Sequence, residues 1–516
     1  MGDPLDLFPL GFLTIPFDQY PGVKDPKISS RDLEWLIVQL NDFITETPVG
    51  TIAESNFGYW LTYALQTAMN TYDEKAAQHI CALLYKLYQD GNPAVLVSIL
   101  SQTLGGAFEG QTVAYAWMDS LFTATFDSRN NSVLVAINYI FSQLLANAGD
   151  ELSSIMAKNV EKGSEKGKNA ILVLVRALAN ATTISDNQPT AELIAELLSS
   201  FIKKSPRIIS AALTKEITYG SFKGKSSTYV LVGAIKNAVV DNPKVVQILS
   251  RILIDVSKIS PAELVDSLCK THELGPYKGL HTLHIILISL VSAAYINHNS
   301  DALSNLIDAL YQIWESNSDG KINSALMQTI HTGVHADLNG IMMIVRALAA
   351  AIDHELEIAP IIEFLNHFIK SDPKDLCSAF THKAPQNTIG DYTLSPLVLL
   401  INTWSNNKSP FVKTKLQQTI DTLASSKSAI EMSCSLDGEP KLFFVKKVAS
   451  AHSLDEADVA RLLRTASGNP SSASLDSGFF LTRNKLGEKQ FFFQPFDEVR
   501  DATEEDIEKQ SATCRI

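Results

Sequence analysis

The chain has 516 residues, about three times a typical domain, which excludes one compact core and leaves several cores or an extended repeat array. Hydrophobic residues at 46% and charged residues at 19% exclude a largely disordered or collagen-like chain. With 43 Lys and Arg against 56 Asp and Glu the net charge is -13, which disfavours bulk binding to nucleic acid or an anionic membrane.

Five scattered cysteines without a CxxC pair fit a reducing compartment. Residues 1–45 read as a capping segment: an apolar stretch broken by Pro4, Pro9 and Pro16, then a helix over SRDLEWLIVQLNDFIT from Ser30 to Thr45. The start lacks the basic region of a secretory signal peptide. The longest apolar runs, such as Ile285 to Ile296, stop short of the roughly 20 residues of a spanning helix, so a soluble protein is expected.

From 46 to 432 the chain repeats with a period of about 55 residues. The anchor position is Gly110, Gly167, Gly224, Gly279, Asp337 and Gly390, with Gly58 in register in a weaker first copy. A second glycine precedes the anchor by four residues at Gly106, Gly163, Gly220, Gly275 and Gly333. Each pair is expected to form a helix-helix corner, the first glycine taking the left-handed position just past a helix end. An apolar helix follows each anchor (169–181, 228–240, 282–295, 340–352), then an amphipathic one. A third is announced by Asn92-Pro93, Ser205-Pro206, Ser260-Pro261 and Asp372-Pro373. A helix apolar on nearly every face cannot be buried by its own unit, so the expected fold is mainly α: an α-solenoid of about seven three-helix repeats. The strings GLHTLHIILI (279–288) and GDYTLSPLVLL (390–400) resemble the ankyrin turn into a helix. That resemblance implies an ankyrin-like or HEAT-like helical repeat protein, although the longer period and the missing prolines depart from ankyrin repeats proper.

The corner GSFKGKS at 220–226 has the look of a phosphate loop, but only three residues separate its glycines where that motif needs four, so nucleotide binding is not expected. Its lysines recur. Lys166, Lys223 and Lys278 precede successive anchors, with Lys162, Lys168 and Lys225 nearby, and stacked corners would align them into a basic row for an acidic or phosphorylated protein partner. Nine of the 11 histidines fall between His272 and His382. Cys269, His272, His281, His331, His335, Asp337 and His382 share the corner region, which offers a Cys-His nucleophile, a metal site, or loop histidines bonded to the backbone. Because neighbouring units stand roughly 10 Å apart, one ion cannot gather ligands from three of them, and no metal or cofactor is expected.

From 433 to 498 a small α+β unit is expected: a strand over LDGEPKLFFVKK, a helix from the capping box at Ser453–Glu456 to Ala466, and a hairpin at 478–496 with Phe491, Phe492 and Phe493 in its core. Residues 499–516 read as a flexible acidic tail, with Asp501, Glu504, Glu505, Asp506 and Glu508 before Ser511, Ala512 and Thr513. This tail resembles the C-terminal translocation signal of Dot/Icm type IV secreted effectors. The resemblance implies a bacterial protein delivered into a eukaryotic host cytosol.

The sequence therefore favours a protein-interaction scaffold whose contacts include Lys166, Lys168, Lys223, Lys225 and Lys278. The alternative is a thiol- or metal-dependent hydrolase built from Cys269, His272, His331, His335, Asp337 and His382.

Overall fold

The apolar helix after each anchor starts where the sequence supplies a cap. Thr112, Asn169 and Ser395 each accept from the backbone N–H three residues on (Tyr115, Leu172 and Val398), satisfying a donor that every helix start leaves open. The computed structural model describes residues 30–464 apart from 49–50, 53–54, 72, 91–92, 127–130, 185–187, 274–276, 318, 331–336 and 384–393. The expected hairpin, Phe491 to Phe493 and the acidic tail lie outside the described residues.

Helices follow one another in triplets. Repeat 1 has Phe57–Thr71, Glu74–Asp90 and Pro93–Ser101; repeat 2 has Val113–Ala124 and Asn131–Ala157. Repeat 3 has Ala170–Ala181, Gln188–Lys204 and Pro206–Thr214; repeat 4 has Ser227–Asp241, Pro243–Ile259 and Pro261–Leu268. Repeat 5 has Thr282–Tyr295, Ser300–Glu315 and Lys321–Met327; repeat 6 has Gly340–Asp353, Ala359–Lys370 and Leu376–Thr381; repeat 7 has Pro396–Asn406, Pro410–Ala424 and Ala429–Ser435. The long helix of repeat 2 contains the same break as its neighbours. Ala148 has φ -135° and ψ 42°, close to the -132° and 64° of Ser205 and the -136° and 63° of Ser260, which separate second from third helices in repeats 3 and 4. The fold is a mainly α tandem repeat of the α-solenoid class, as the period predicts.

The chain divides into two units, one of Met1–His272, His281–Gln328 and Met343–Phe368, the other of Glu273–Leu280, Thr329–Met342 and Ile369–Ile516. In the first unit the first helices of repeats 1 to 5 pack in succession, and so do the second helices. The apolar helices of repeats 2, 3 and 4 are thereby covered by their counterparts on both sides: Ile171, Leu172, Val173, Leu174 and Val175 in repeat 3 are all at most 1% exposed. Side-chain hydrogen bonds keep the same register, joining residues 55 apart in Trp117 Nε1 to Thr62 Oγ1 (3.0 Å), Asn180 Nδ2 to Thr125 Oγ1 (2.9 Å) and Ser205 Oγ to Asp150 Oδ1 (2.6 Å). The Ser30–Glu46 helix caps the first and second helices of repeat 1. In the second unit the third helix of repeat 6 packs on repeat 7, and the helix Gly438–His452 closes against all three helices of repeat 7.

Several expectations are corrected. The segment expected as a strand at 436–447 lies largely in the helix Gly438–His452, because its buried residues Lys441, Phe444, Val445 and Val448 fall at helical spacing instead of alternating. Gly58 is not an anchor: it lies inside the first helix of repeat 1, where a Cβ would come within 2.6 Å of Gln102 Oε1. Gly106, Gly163 and Gly220 do have positive φ (59°, 79° and 73°), but they sit within the corners, after helices that have already ended at Ser101, Ala157 and Thr214. In repeat 6 the third helix begins at Leu376, not at Pro373, after left-handed Asp372 and Asp375. No helix among the described residues is long and apolar enough to cross a membrane.

Candidate functional site: stacked corners and an inter-repeat cleft

The corner between repeats is closed by a recurring pair of backbone bonds. Val160 N–H donates to Lys168 O and Gly167 N–H to Val160 O, both at 2.8 Å; Ile217 forms the same pair with Lys225 and Gly224, and Ile330 with Leu338 and Asp337. The chain must turn left at the anchor, and φ is 80°, 82°, 81° and 81° at Gly110, Gly167, Gly224 and Gly279. Asp337 fills the position at φ 65°, tolerated because a short polar side chain offsets part of the left-handed penalty. Corners of successive repeats touch. A Cβ on Gly163 would lie 2.6 Å from Glu109 O, and one on Gly110 2.8 Å from Lys162 O, so repeats 2 and 3 meet backbone against backbone.

The corner lysines divide by surroundings. Lys162, Lys166 and Lys223 are exposed, and Lys166 Nζ lies 4.5 Å from the centre of the Tyr219 ring on the next corner. Lys278, in the second unit, is exposed as well. Lys168 is buried and does not belong to a surface row: its Nζ is 2.7 Å from Glu165 Oε2, which also accepts from the Tyr115 hydroxyl at 2.6 Å. Burial alone would raise Glu165, but these bonds, with the charges of Lys168 and Arg176, hold its carboxyl below the ordinary value. The same anion drives Tyr115 upward, after burial, which is the larger cause. Lys225 is half-buried, over the rings of Tyr229 (4.8 Å) and Phe222 (5.9 Å).

A cleft of about 480 Å³ opens beside Lys225, between equivalent parts of consecutive repeats. Its walls are the end of the third helix and corner on one side (Thr214, Lys215, Glu216, Ser226) and their counterparts one repeat on (Asp266, Ser267, Lys270, His272). Lys270 pairs with Glu216 across it at 2.6 Å, and Asp266 is drawn to Lys321 at 2.6 Å. The hydroxyls of Ser226 and Ser267 are bonded to each other. His272 packs on Tyr229 with ring centres 4.3 Å apart and shares a 2.9 Å hydrogen bond between Nε2 and Thr282 Oγ1. Burial first, then the charges of Lys225, His281 and Lys270, pushes His272 down to about 4, so it is neutral at physiological pH.

No protein-family model matches the sequence, and no curated protein matches it. Among solved structures the chain is similar to a circular tandem repeat protein with novel repeat topology and enhanced subunit contact surfaces, at 13% identity and TM-score 0.29 over 84% of this chain and 90% of that one. It is also similar to SYS-1, at 11% identity and TM-score 0.21 over 85% of this chain and 92% of that one. At such scores the repeat architecture rests on the chain's own register of helices and hydrogen bonds.

The remaining candidate residues do not converge on one centre among the described residues. Burial, then Asp266 and Asp319, pushes the Cys269 thiol up to about 12, the reverse of an activated nucleophile. Burial likewise raises Cys377. His382 Nε2–H donates to the Asp337 carbonyl at 2.9 Å, the backbone-bonded loop histidine that the sequence offered as one alternative. His281 stacks on His284 with ring centres 5.0 Å apart at the start of the first helix of repeat 5. His331 and His335 lie outside the described residues. No set of three or more His, Cys, Asp or Glu side chains among the described residues is placed to hold a metal ion. Sequence reasoning missed Tyr219, Phe222, Tyr229 and Ser267, which aligning the repeats on their anchors would have exposed.

Proposed function

We propose that the protein is an interaction scaffold that holds a protein partner along its corners. The observation carrying this reading is the backbone-against-backbone stacking of corners in repeats 2 and 3, which brings side chains of equivalent register side by side and gives an extended partner a periodic surface. The exposed lysines Lys166, Lys223 and Lys278 supply the attraction for an acidic or phosphorylated partner on a chain whose net charge is -13. A thiol hydrolase would need Cys269 as a thiolate, against the direction in which burial moves it. Delivery into a host cell by a type IV system is a further proposal that rests on the acidic sequence of residues 499–516. A reporter fused to this protein and carried by a type IV-competent strain and its secretion mutant tests it.

The scaffold reading is tested by pull-down from eukaryotic lysate with the full chain and with Lys166, Lys223 and Lys278 changed together to Glu. Stoichiometric capture of a defined protein, lost in the triple variant at unchanged thermal stability, is the expected result. Equal capture by both proteins would remove the basic row, and no specific capture by the parent would remove the scaffold.

A further inference from the structure

Repeats 3 and 4 place a lysine at the same point of the corner, one residue past the anchor: Lys168 and Lys225. Their surroundings differ. Two positions before the anchor, repeat 3 has Glu165 and repeat 4 has Phe222. Lys168 thus finds its counter-ion within its own corner, at 2.7 Å. Lys225 finds two ring faces instead, and the ion pairs among the described residues include none to it. Ring faces return only about 0.5–2 kcal/mol to a cation that burial strips of water, less than a carboxylate does. Consistent with this, burial is the sole cause acting on Lys225, and it moves the ammonium downward.

The wall of the cleft departs from the repeat pattern in the same sense. Counted from the anchor, Ser267 stands where the neighbouring repeats have Ala212 and Ala325, and His272 where they have Val160, Ile217 and Ile330. Those apolar counterparts are buried core residues, so stacking needs no polar group at either register. His272 is itself only 4% exposed, and its Nδ1 has no hydrogen-bond partner. A buried nitrogen left unbonded costs about 1–3 kcal/mol and is rare in native cores. Of the carboxylates in the wall, Glu216 and Asp266 are held by Lys270 and Lys321, while Glu263 is exposed.

We infer that this cleft receives a carboxylate side chain from an acidic peptide segment of the partner, which sits on the Lys225 ammonium as Glu165 sits on Lys168. The cleft's volume of about 480 Å³ accommodates such a side chain with adjoining backbone, and its hydroxyls and imidazole are hydrogen-bonding groups for that backbone. The inference rests on the scaffold reading but names a different surface from the exposed lysines.

The test uses the full chain and fluorescence anisotropy of fluorescein-labelled alternating Gly-Glu, Gly-Gln and Gly-phosphoserine peptides. Saturable 1:1 binding of the Gly-Glu peptide and none of the Gly-Gln peptide is expected. Lys225→Gln should weaken it about tenfold or more, the scale of one charge-assisted hydrogen bond. Phe222→Glu should weaken it equally by supplying the missing counter-ion from within, as Glu165 does, while keeping the lysine. Lys75→Gln, at an exposed lysine of repeat 1 outside the cleft and the corners, should leave binding within about twofold, as expected for a solvated surface charge. Circular dichroism and urea midpoints confirm that each variant is folded. Failure of the parent to bind the Gly-Glu peptide, or full binding by Phe222→Glu, overturns the inference. Tighter binding of the phosphoserine peptide overturns the carboxylate assignment. Loss of peptide binding in the Phe222→Glu variant with lysate capture intact would leave the scaffold standing on the exposed lysines. Loss of capture in the triple lysine variant with peptide binding intact would do the reverse.

Discussion

Gly163 and Gly224 have nearly the same backbone, φ 79° and 81°, but different neighbours. A Cβ on Gly224 would meet nothing within 4 Å, whereas one on Gly163 would sit 2.6 Å from the Glu109 carbonyl oxygen of the preceding corner. Alanine at Gly224 therefore costs only the left-handed backbone penalty, about 1–2 kcal/mol. Alanine at Gly163 costs that and also forces two repeats apart at a contact made by backbone, which cannot swing away as a side chain would. Overpacking of this kind adds about 1–3 kcal/mol, so the expected total is about 2–5 kcal/mol. Urea unfolding followed by circular dichroism measures both variants, and hydrogen exchange at the corners of repeats 2 and 3 localises the effect, since repeat arrays need not unfold in one step. Equal losses at the two sites would refute the stacking of corners. A negligible loss at Gly224 would refute the left-handed anchor.

Leu174 is fully buried in the first helix of repeat 3, so Leu174→Asp places an unpaired carboxylate between neighbouring helices and should cost more than about 3 kcal/mol; a soluble, cooperatively folded variant by chromatography and urea melt would show that helix to be exposed. Glu165 has its folded value held below the unfolded one, so its contribution is present above roughly pH 4.3 and is lost as pH falls through the folded value. Glu165→Gln should accordingly lose about 2 kcal/mol at pH 7 and show a flatter acid limb than the parent; parallel acid limbs would contradict the pairing. His272, held at about 4, leaves the unfolded chain to take up the proton first, so the parent loses stability as pH falls from about 6.5 to 4, by up to about 3 kcal/mol. His272→Ile should remove that loss, and an unchanged pH profile between those values would show the imidazole to be solvated.

The repeat period and the corner glycines were legible because they answer to two rigid demands, a positive φ and close backbone approach, that no other residue type meets as cheaply. Gly58 misled for the same reason: it too is required by close approach, but inside a helix. The segment 438–452 was misread because Leu442, Phe443, Phe444 and Val445 form a continuous apolar run, which alone does not separate strand from helix; Phe443 in fact packs on Trp404 with ring centres 4.6 Å apart. The lysines were legible as recurring corner positions but not by depth, since Lys168 and Lys225 differ from Lys166 and Lys223 only once Glu165, Tyr115, Phe222 and Tyr229 surround them.

The cleft left no motif in the sequence because its signal is a difference between copies. Stacking sets one requirement at each register, and Val160, Ile217 and Ile330 meet it with the same buried apolar side chain that closes the corner. His272 meets it with a ring that burial forces to be neutral and that leaves one nitrogen unbonded. A residue that is worse for stacking than its three counterparts is not there for stacking. The same comparison applies to Ser267 against Ala212 and Ala325. Both exceptions line one opening, so the cost they impose on folding falls where a ligand could repay it. His272→Ile, which restores the repeat pattern, should therefore move stability and peptide binding in opposite directions. Variants that break the pattern elsewhere, such as Leu174→Asp, should lower both.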